Sequence, residues 1–331
     1  MIKKTHLLTF LMVLLWAPVF ISCSGDDDDD DPDEWVKAPD FEGLPRSGSV
    51  GFTIGNYEYI TTGYGTNSTR FTDTWRYDAS TGTWDEVAPF PGAARNNAVS
   101  FVSNGKAYVG LGTNSNEMFK DFYEFDPTQG SVGTWKKIDD FPGAGRWGAV
   151  AFSLNEVGYV GTGRDGDAQD YNDFYSYKNG TWTKSISTPA KRSFAFVFVL
   201  NNLAYLGGGT NNNSNVVSLY TFDGTNWAAK KDLSGRDDDY TYNLTRLSPA
   251  TFVVNGQAYI SGGLSSYSGS AIGTTWRYDA SGDYWVEHQA FLGSYRQQPV
   301  AFTINNRAYV STGRSGTLPF DDTWEFIPQS E

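Results

Sequence analysis

Two residue types are nearly missing. The 331-residue chain holds two histidines and one cysteine. One cysteine forms no internal disulfide and builds no Cys-rich zinc centre. His6 lies in an apolar leader, so His288 alone remains in the body of the protein, in WVEHQAF, where it reads as a surface position on a strand late in a repeat. Nucleophilic machinery of the Ser-His-Asp or Cys-His type needs a histidine beside its nucleophile. Metal centres with several His ligands are excluded outright. Helical periodicity is missing as well: no apolar 3.6-residue period of useful length runs through residues 35–331. What abounds is aromatic side chains (22 Phe, 20 Tyr, 11 Trp) and glycine, with 36 residues. That is the composition of short strands and tight turns.

Residues 1–22 carry the pattern of a secretory signal. Lys3 and Lys4 precede an apolar stretch, Leu7 to Phe20, broken by Pro18. It is too short to cross a hydrocarbon core of ~30 Å comfortably. It ends in Phe20-Ile21-Ser22-Cys23. This resembles the lipobox at which bacterial lipoproteins are cleaved and lipidated, with Phe20 for the usual Leu and Ser22 for the usual Ala or Gly. Asp26 to Asp31 follow as an unbroken acidic run, similar to the surface-export signal of Bacteroidetes lipoproteins. Physically such a run repels itself and stays extended. The expectation is a signal peptide over 1–22, lipidation at Cys23 and an acidic disordered tether over 23–34. The protein would then be an outer-membrane lipoprotein at the cell surface, touching the membrane through its anchor alone. Residues 1–34 hold two lysines and eight acids, so −6 of the net charge of −13 belongs to them and −7 to the rest. That balance argues against nucleic acid as a partner.

The remainder is a sixfold repeat. Arginines stand at 46, 95, 146, 192, 246 and 296. Thirteen residues beyond each is a tyrosine (59, 108, 159, 205, 259, 309), and seventeen beyond is a glycine (63, 112, 163, 209, 263, 313). A second aromatic follows in DTWRYD, DFYEFD, DFYSYK, SLYTFD, TTWRYD and DTWEFI, and a further Trp at 84, 135, 182, 227 and 285. Each unit reads as four short strands, the first hairpin turning at Asn104-Gly105, Asn255-Gly256 or the Asn pairs 201–202 and 305–306. Four-stranded units at this period predict propeller blades.

The glycine motif after the second strand and the paired aromatics resemble the kelch repeat across essentially all of 35–331, although Gly-Gly is complete only at Gly208-Gly209 and Gly262-Gly263. The fold expected is all-β: a six-bladed kelch-type β-propeller over 35–331. The sixth repeat lacks its fourth-strand Trp, and Trp35 is spare at the other end. An N-terminal strand is therefore expected to close the last blade.

Antiparallel four-stranded blades put the second-to-third loops and the blade-to-blade connections on one face, where a ligand is expected. The six arginines lie in those connections. Arg46, Arg95, Arg146, Arg192, Arg246 and Arg296 either ring an anion site or pair with acids such as Asp73, Asp121 and Asp173. Their presence in every repeat favours the structural role. Positions that break the symmetry are better candidates: Tyr64, Arg164 and Arg314 directly after the repeat glycine, and Trp147 directly after the repeat arginine. Arg164 and Arg314 lie three blades apart, opposite each other. The fourth-to-fifth connection is longer and contains Arg236-Asp-Asp-Asp-Tyr240-Thr-Tyr242. The Asp165, Asp167, Asp170, Asp173 string lacks the order of a calcium loop, and no metal or cofactor is expected.

Three functions compete. The first is a surface-displayed binding module for a glycan or protein ligand, anionic in character. The second follows from the resemblance: some bacterial kelch propellers are sialic acid mutarotases, which need only acid and base groups to open a sugar ring. The loop of Glu117 and the arginines are the nearest candidates for that role. Galactose oxidase, a copper radical enzyme of kelch type, needs two histidines and a Cys–Tyr crosslink and is excluded. The third is a structural partner in an outer-membrane assembly.

Overall fold

The computed structural model describes residues 34–236, 241–265 and 267–328. Residues 1–33, where the signal peptide, the lipidated Cys23 and most of the tether are expected, and residues 237–240 of the long connection lie outside the described residues. Six four-stranded antiparallel sheets form a closed β-propeller. Their innermost strands are Val50–Ile54, Val99–Ser103, Val150–Leu154, Phe196–Leu200, Ala250–Val254 and Val300–Ile304, and each meets its neighbours around a central axis.

Local chemistry dictates the blades. The first hairpin turns at Asn104-Gly105, Asn155-Glu156, Asn201-Asn202, Asn255-Gly256 and Asn305-Asn306 place both residues at φ between 50° and 72°. Asn and Gly tolerate this region best, and the resulting twist matches the flanking strands. Across every hairpin a phenylalanine stacks on the repeat tyrosine: Phe52–Tyr59, Phe101–Tyr108, Phe152–Tyr159, Phe198–Tyr205, Phe252–Tyr259 and Phe302–Tyr309. Their centroids are 4.8–5.5 Å apart. Aromatics of the third and fourth strands of the next blade pack onto these pairs, as Tyr77 and Trp84 of blade 1 do on Phe302 and Tyr309 of blade 6. The core is thus six interblade seams, each dominated by rings. His288 is half-buried in one of them, edge-on to Tyr259 at 5.6 Å, and not on the surface as the sequence suggests.

The imperfect glycine motif has a steric explanation. Its first position (Thr62, Leu111, Thr162, Gly208, Gly262, Thr312) lies at φ 58–67°, a left-handed region that non-glycine residues enter at modest cost. The second (Gly63, Gly112, Gly163, Gly209, Gly263, Gly313) lies at φ 85–114°. A Cβ on Gly209 would come within 2.5 Å of the Ser193 carbonyl. Only the second position needs glycine, and all six repeats have it there.

Glu34–Ala38 pairs antiparallel with Thr323–Ile327 and completes blade 6, with Trp35 opposite Phe326. Trp35 is buried against Phe252, Phe291 and Phe326. The blade therefore contains strands from both ends of the described chain, so its loss exposes the edges of blades 1 and 5. Deleting residues 35–45 is expected to abolish the cooperative thermal unfolding transition seen by circular dichroism; an unchanged melting temperature would refute this closure.

Candidate functional site

The six repeat arginines are inside the blades, not around a ligand surface. Arg46, Arg95, Arg146, Arg192, Arg246 and Arg296 are 0–1% exposed. Four make bidentate pairs with an aspartate of their own blade: Arg46 with Asp73 (2.5 and 2.7 Å), Arg95 with Asp121 (2.5 and 2.9 Å), Arg146 with Asp173 (2.6 and 3.2 Å) and Arg296 with Asp322 (2.6 and 2.8 Å). In all six, Nη1 also donates to the carbonyl of the first glycine-motif residue, at 2.9–3.3 Å. Burial pushes the Asp73 and Asp322 carboxyls up, but hydrogen bonds and charge from Arg46 and Arg296 outweigh it and hold both below the usual range.

The symmetry-breaking positions do come together, in pairs. Each residue after a repeat arginine forms an antiparallel bridge with the residue after the glycine of the same blade: Ser47 with Tyr64, Asn96 with Thr113, Trp147 with Arg164, Ser193 with Thr210, Leu247 with Leu264 and Gln297 with Arg314. The second-to-third loop then folds back, so that Tyr64 bridges Arg70, Arg164 bridges Asp170 and Arg314 pairs with Pro319. This last step separates the two opposed arginines. Arg164 donates Nε and Nη2 to buried Asp170 at 2.9 and 2.8 Å, and Nη1 to Asn213 at 3.1 Å. Burial would raise the Asp170 carboxyl, yet hydrogen bonds from Arg164 and the Asn212 amide keep it below the usual range. Arg314 faces a proline, which offers no acid. Its Nε is buried without a hydrogen-bond partner, and no ion pair is made to it among the described residues.

Around the axis on this face runs a backbone ring two residues beyond each arginine. Gly48, Asn97, Gly148, Phe194, Ser248 and Gln298 all have φ between 45° and 60°. Five amide-to-carbonyl bonds link them in one rotational sense: Asn97 to Gly48, Phe194 to Gly148, Ser248 to Phe194, Gln298 to Ser248 and Gly48 to Gln298, at 2.7–3.0 Å. They frame a mouth of about 190 Å³ that leads past Val50, Val99 and Val150 into a section of about 230 Å³. Phe194 is the bulky member, held in a conformation that costs a branched or aromatic residue ~1–2 kcal/mol. Its ring lies over Gly148, where a Cβ would come within 2.7 Å. Trp147 meets it edge-on at 4.9 Å. The two make a half-exposed aromatic corner at the mouth.

Tyr64 is tied down by Arg70, whose guanidinium lies 5.0 Å over the ring and donates to Asn96 and Ser115. The aspartates of blade 3 are dispersed: Asp165 accepts from Tyr171 at 2.7 Å, Asp170 from Arg164 and Asp173 from Arg146. Among the described residues no group of three His, Cys, Asp or Glu side chains could hold a metal. Glu117 is exposed on a turn.

Sequence reasoning missed Phe194, Arg70 and Glu58. Glu58 stands where the other five blades have Ala107, Gly158, Ala204, Ala258 and Ala308, a break in the repeat visible in register. It is 1% exposed in the seam between blades 6 and 1. Its carboxyl occupies the space left by Gly51, whose Cβ would lie 2.5 Å from Oε1 and 2.3 Å from Val300. Thr53 donates to Oε2 at 2.6 Å, and Oε1 has no partner among the described residues. Burial raises its pKa well above the ordinary carboxyl value, only partly offset by Thr53 and the Phe52 amide.

No protein-family model matches the chain. Among curated proteins it is similar to the N-acetylneuraminate epimerase of Salmonella arizonae, 35% identical over 86 residues, which are 24% of this chain and 22% of that enzyme. The epimerase of Shigella boydii serotype 4 is 34% identical over 119 residues, 34% of this chain and 31% of the enzyme. The matched stretches thus span less than a third of these relatives. The solved structure of YjhT superposes with a TM-score of 0.70 at 17% identity, covering 86% of this chain and 95% of that one. The likeness establishes the propeller fold.

Two consequences are measurable. Asp121→Ala leaves the Arg95 guanidinium buried without its carboxylate and is expected to cost about 3 kcal/mol in urea unfolding; a cost below ~1 kcal/mol would contradict the clamp. Burial favours the protonated form of Glu58 in the fold, so the stability it contributes is complete below the unfolded value of about 4.3 and is lost as pH rises through its higher folded value. The wild type is expected to lose stability relative to Glu58→Gln as pH is raised from about 5 to 9. Parallel profiles would refute a protonated Glu58.

Proposed function

We propose that the chain is a membrane-tethered binder of an acidic saccharide, taken at the channel mouth on the loop face. One observation carries this reading: Arg314 is a cation on that face whose bridge partner is a proline, while its counterpart Arg164 is saturated by Asp170. A free guanidinium matches a carboxylate in geometry and charge. The Trp147–Phe194 corner supplies the flat apolar surface on which the face of a sugar ring stacks. Gln297, Gln298, Asn97 and Ser248 add amide and hydroxyl groups around the same mouth. The resemblance of Phe20-Ile21-Ser22-Cys23 to a lipobox and the acidic run after it support the membrane tether.

A second reading is favoured by the segment shared with the N-acetylneuraminate epimerases. N-acetylneuraminate is an acidic sugar, so their substrate falls in the same ligand class. Opening its ring needs an acid and a base in reach of the anomeric centre. Exposed loop acids such as Glu117 and Asp167 are candidates for it.

Titration calorimetry with N-acetylneuraminate, a hexuronate and a neutral hexose separates the outcomes. Binding of the acidic sugars is expected, weakened ~30–100-fold by Arg314→Ala and about tenfold by Trp147→Ala. Equal affinity for the neutral sugar, or no loss in Arg314→Ala, would refute the anion anchor. NMR of freshly dissolved sialic acid anomers then tests the second reading, which requires equilibration faster than the buffer rate.

A further inference from the structure

Blades 4 and 5 break the arginine clamp. In blades 1, 2, 3 and 6 the guanidinium meets an aspartate and lies between two rings: Arg46 between Phe41 and Phe71, Arg95 between Phe90 and Phe119, Arg146 between Phe141 and Tyr171, Arg296 between Phe291 and Phe320. In blade 4 the acid's place is taken by Ser218, and in blade 5 by Thr274. The flanking ring positions change with it. The backbone amides that match those of the rings belong to Thr188 and Val216 in blade 4 and to Leu233 and Ile272 in blade 5. Both arginines stay as buried as the others, at 0 and 1% exposed.

Arg192 of blade 4 is the less satisfied of the two. Nη1 donates to the carbonyls of Gly208 at 3.3 Å and Ser218 at 3.2 Å, and Nη2 to Ser218 Oγ at 2.8 Å. Nε is buried and meets no partner among the described residues. Its counterpart Arg246 places Nε on the Leu244 carbonyl at 3.1 Å. Burial without a carboxylate pulls the Arg192 guanidinium down to about 10. A charge held this way is costly unless a counter-charge joins it. The aspartates of the regular blades are 19–24% exposed at the side chain, and Ser218 is likewise half-buried. Small solutes can therefore reach this position from the surface.

We propose that the Arg192–Ser218 position of blade 4 is a binding site for a small monovalent anion of the halide class, held where blades 1, 2, 3 and 6 carry a carboxylate. The chemistry is complementary. Guanidinium N–H groups and the serine hydroxyl all donate, and a halide only accepts. Its single charge balances the arginine. A serine side chain is shorter than aspartate by one carbon and one oxygen, which suits a monatomic ion better than a tetrahedral oxyanion. The site lies inside the blade and is independent of the saccharide reading at the channel mouth.

Thermal melts of the full chain at constant ionic strength, with sodium chloride replacing sodium gluconate, test this. The wild type is expected to gain ~2–5 °C, saturably, between zero and about 0.3 M chloride. Ser218→Asp supplies the carboxylate itself, so it should melt higher in gluconate and not respond to chloride. Asp121→Ser makes the reverse change in blade 2 and should melt lower but acquire a chloride response. In bromide-soaked crystals an anomalous peak is expected within hydrogen-bonding reach of Arg192 Nη2. A wild type indifferent to chloride, or a response equal in Ser218→Asp, overturns the proposal. Should Ser218→Asp fail to fold, Asp121→Ser decides: lost stability without a new chloride response overturns it as well.

Discussion

Each blade is organised by one buried guanidinium, and the ring is organised by the carbonyl of the same residue. The arginine side chain holds the glycine turn of its own blade through Nη1. Its backbone carbonyl accepts the amide of the glycine in the preceding blade: Gly63 to Arg95, Gly112 to Arg146, Gly163 to Arg192, Gly209 to Arg246, Gly263 to Arg296 and, closing the circle, Gly313 to Arg46, at 2.8–3.2 Å. A single residue type thus fixes both the interior of a blade and its angle to the next. This is why the arginine and the second glycine occur at one spacing in all six repeats. The aspartate, which serves only the interior of a blade, is replaced in two.

The division between what repeats and what does not separates scaffold from surface. Residues common to all blades are buried: the arginines, the Phe–Tyr stacks and the turn glycines. Residues that differ between blades occupy the small bridges above them, where Trp147, Arg164, Tyr64 and Arg314 lie. Glu58 and Phe194 obey the same rule from less visible places. One is a carboxyl in a row of alanines and glycines. The other is a phenylalanine in a turn otherwise made of Gly, Asn, Ser and Gln.

The fold was legible because its determinants are local and repeated six times. Trp35 could be assigned to the last blade because its distance to Arg46 matches four of the other five Trp-to-Arg gaps to within one residue. The site was legible only as a face. Sequence register placed Arg164 and Arg314 as equivalents, and in backbone terms they are. Their difference comes from Asp170 and Pro319, which reach the same bridge through loops of unequal length that no fixed offset aligns. Arg70 was invisible for the same reason. Asp73, Asp121 and Asp173 pair with Arg46, Arg95 and Arg146, but burial of the guanidinium follows from three-dimensional packing that spacing does not encode.

The backbone ring at the channel mouth has an electrostatic consequence. Its amide-to-carbonyl bonds run tangentially and in one sense around the axis. Dipoles arranged head to tail in a circle cancel, unlike those of a helix, which add along one direction. The main chain therefore contributes almost no field along the axis, although it forms most of the opening. Any preference for the sign of an entering solute is therefore set by the side chains standing around the rim.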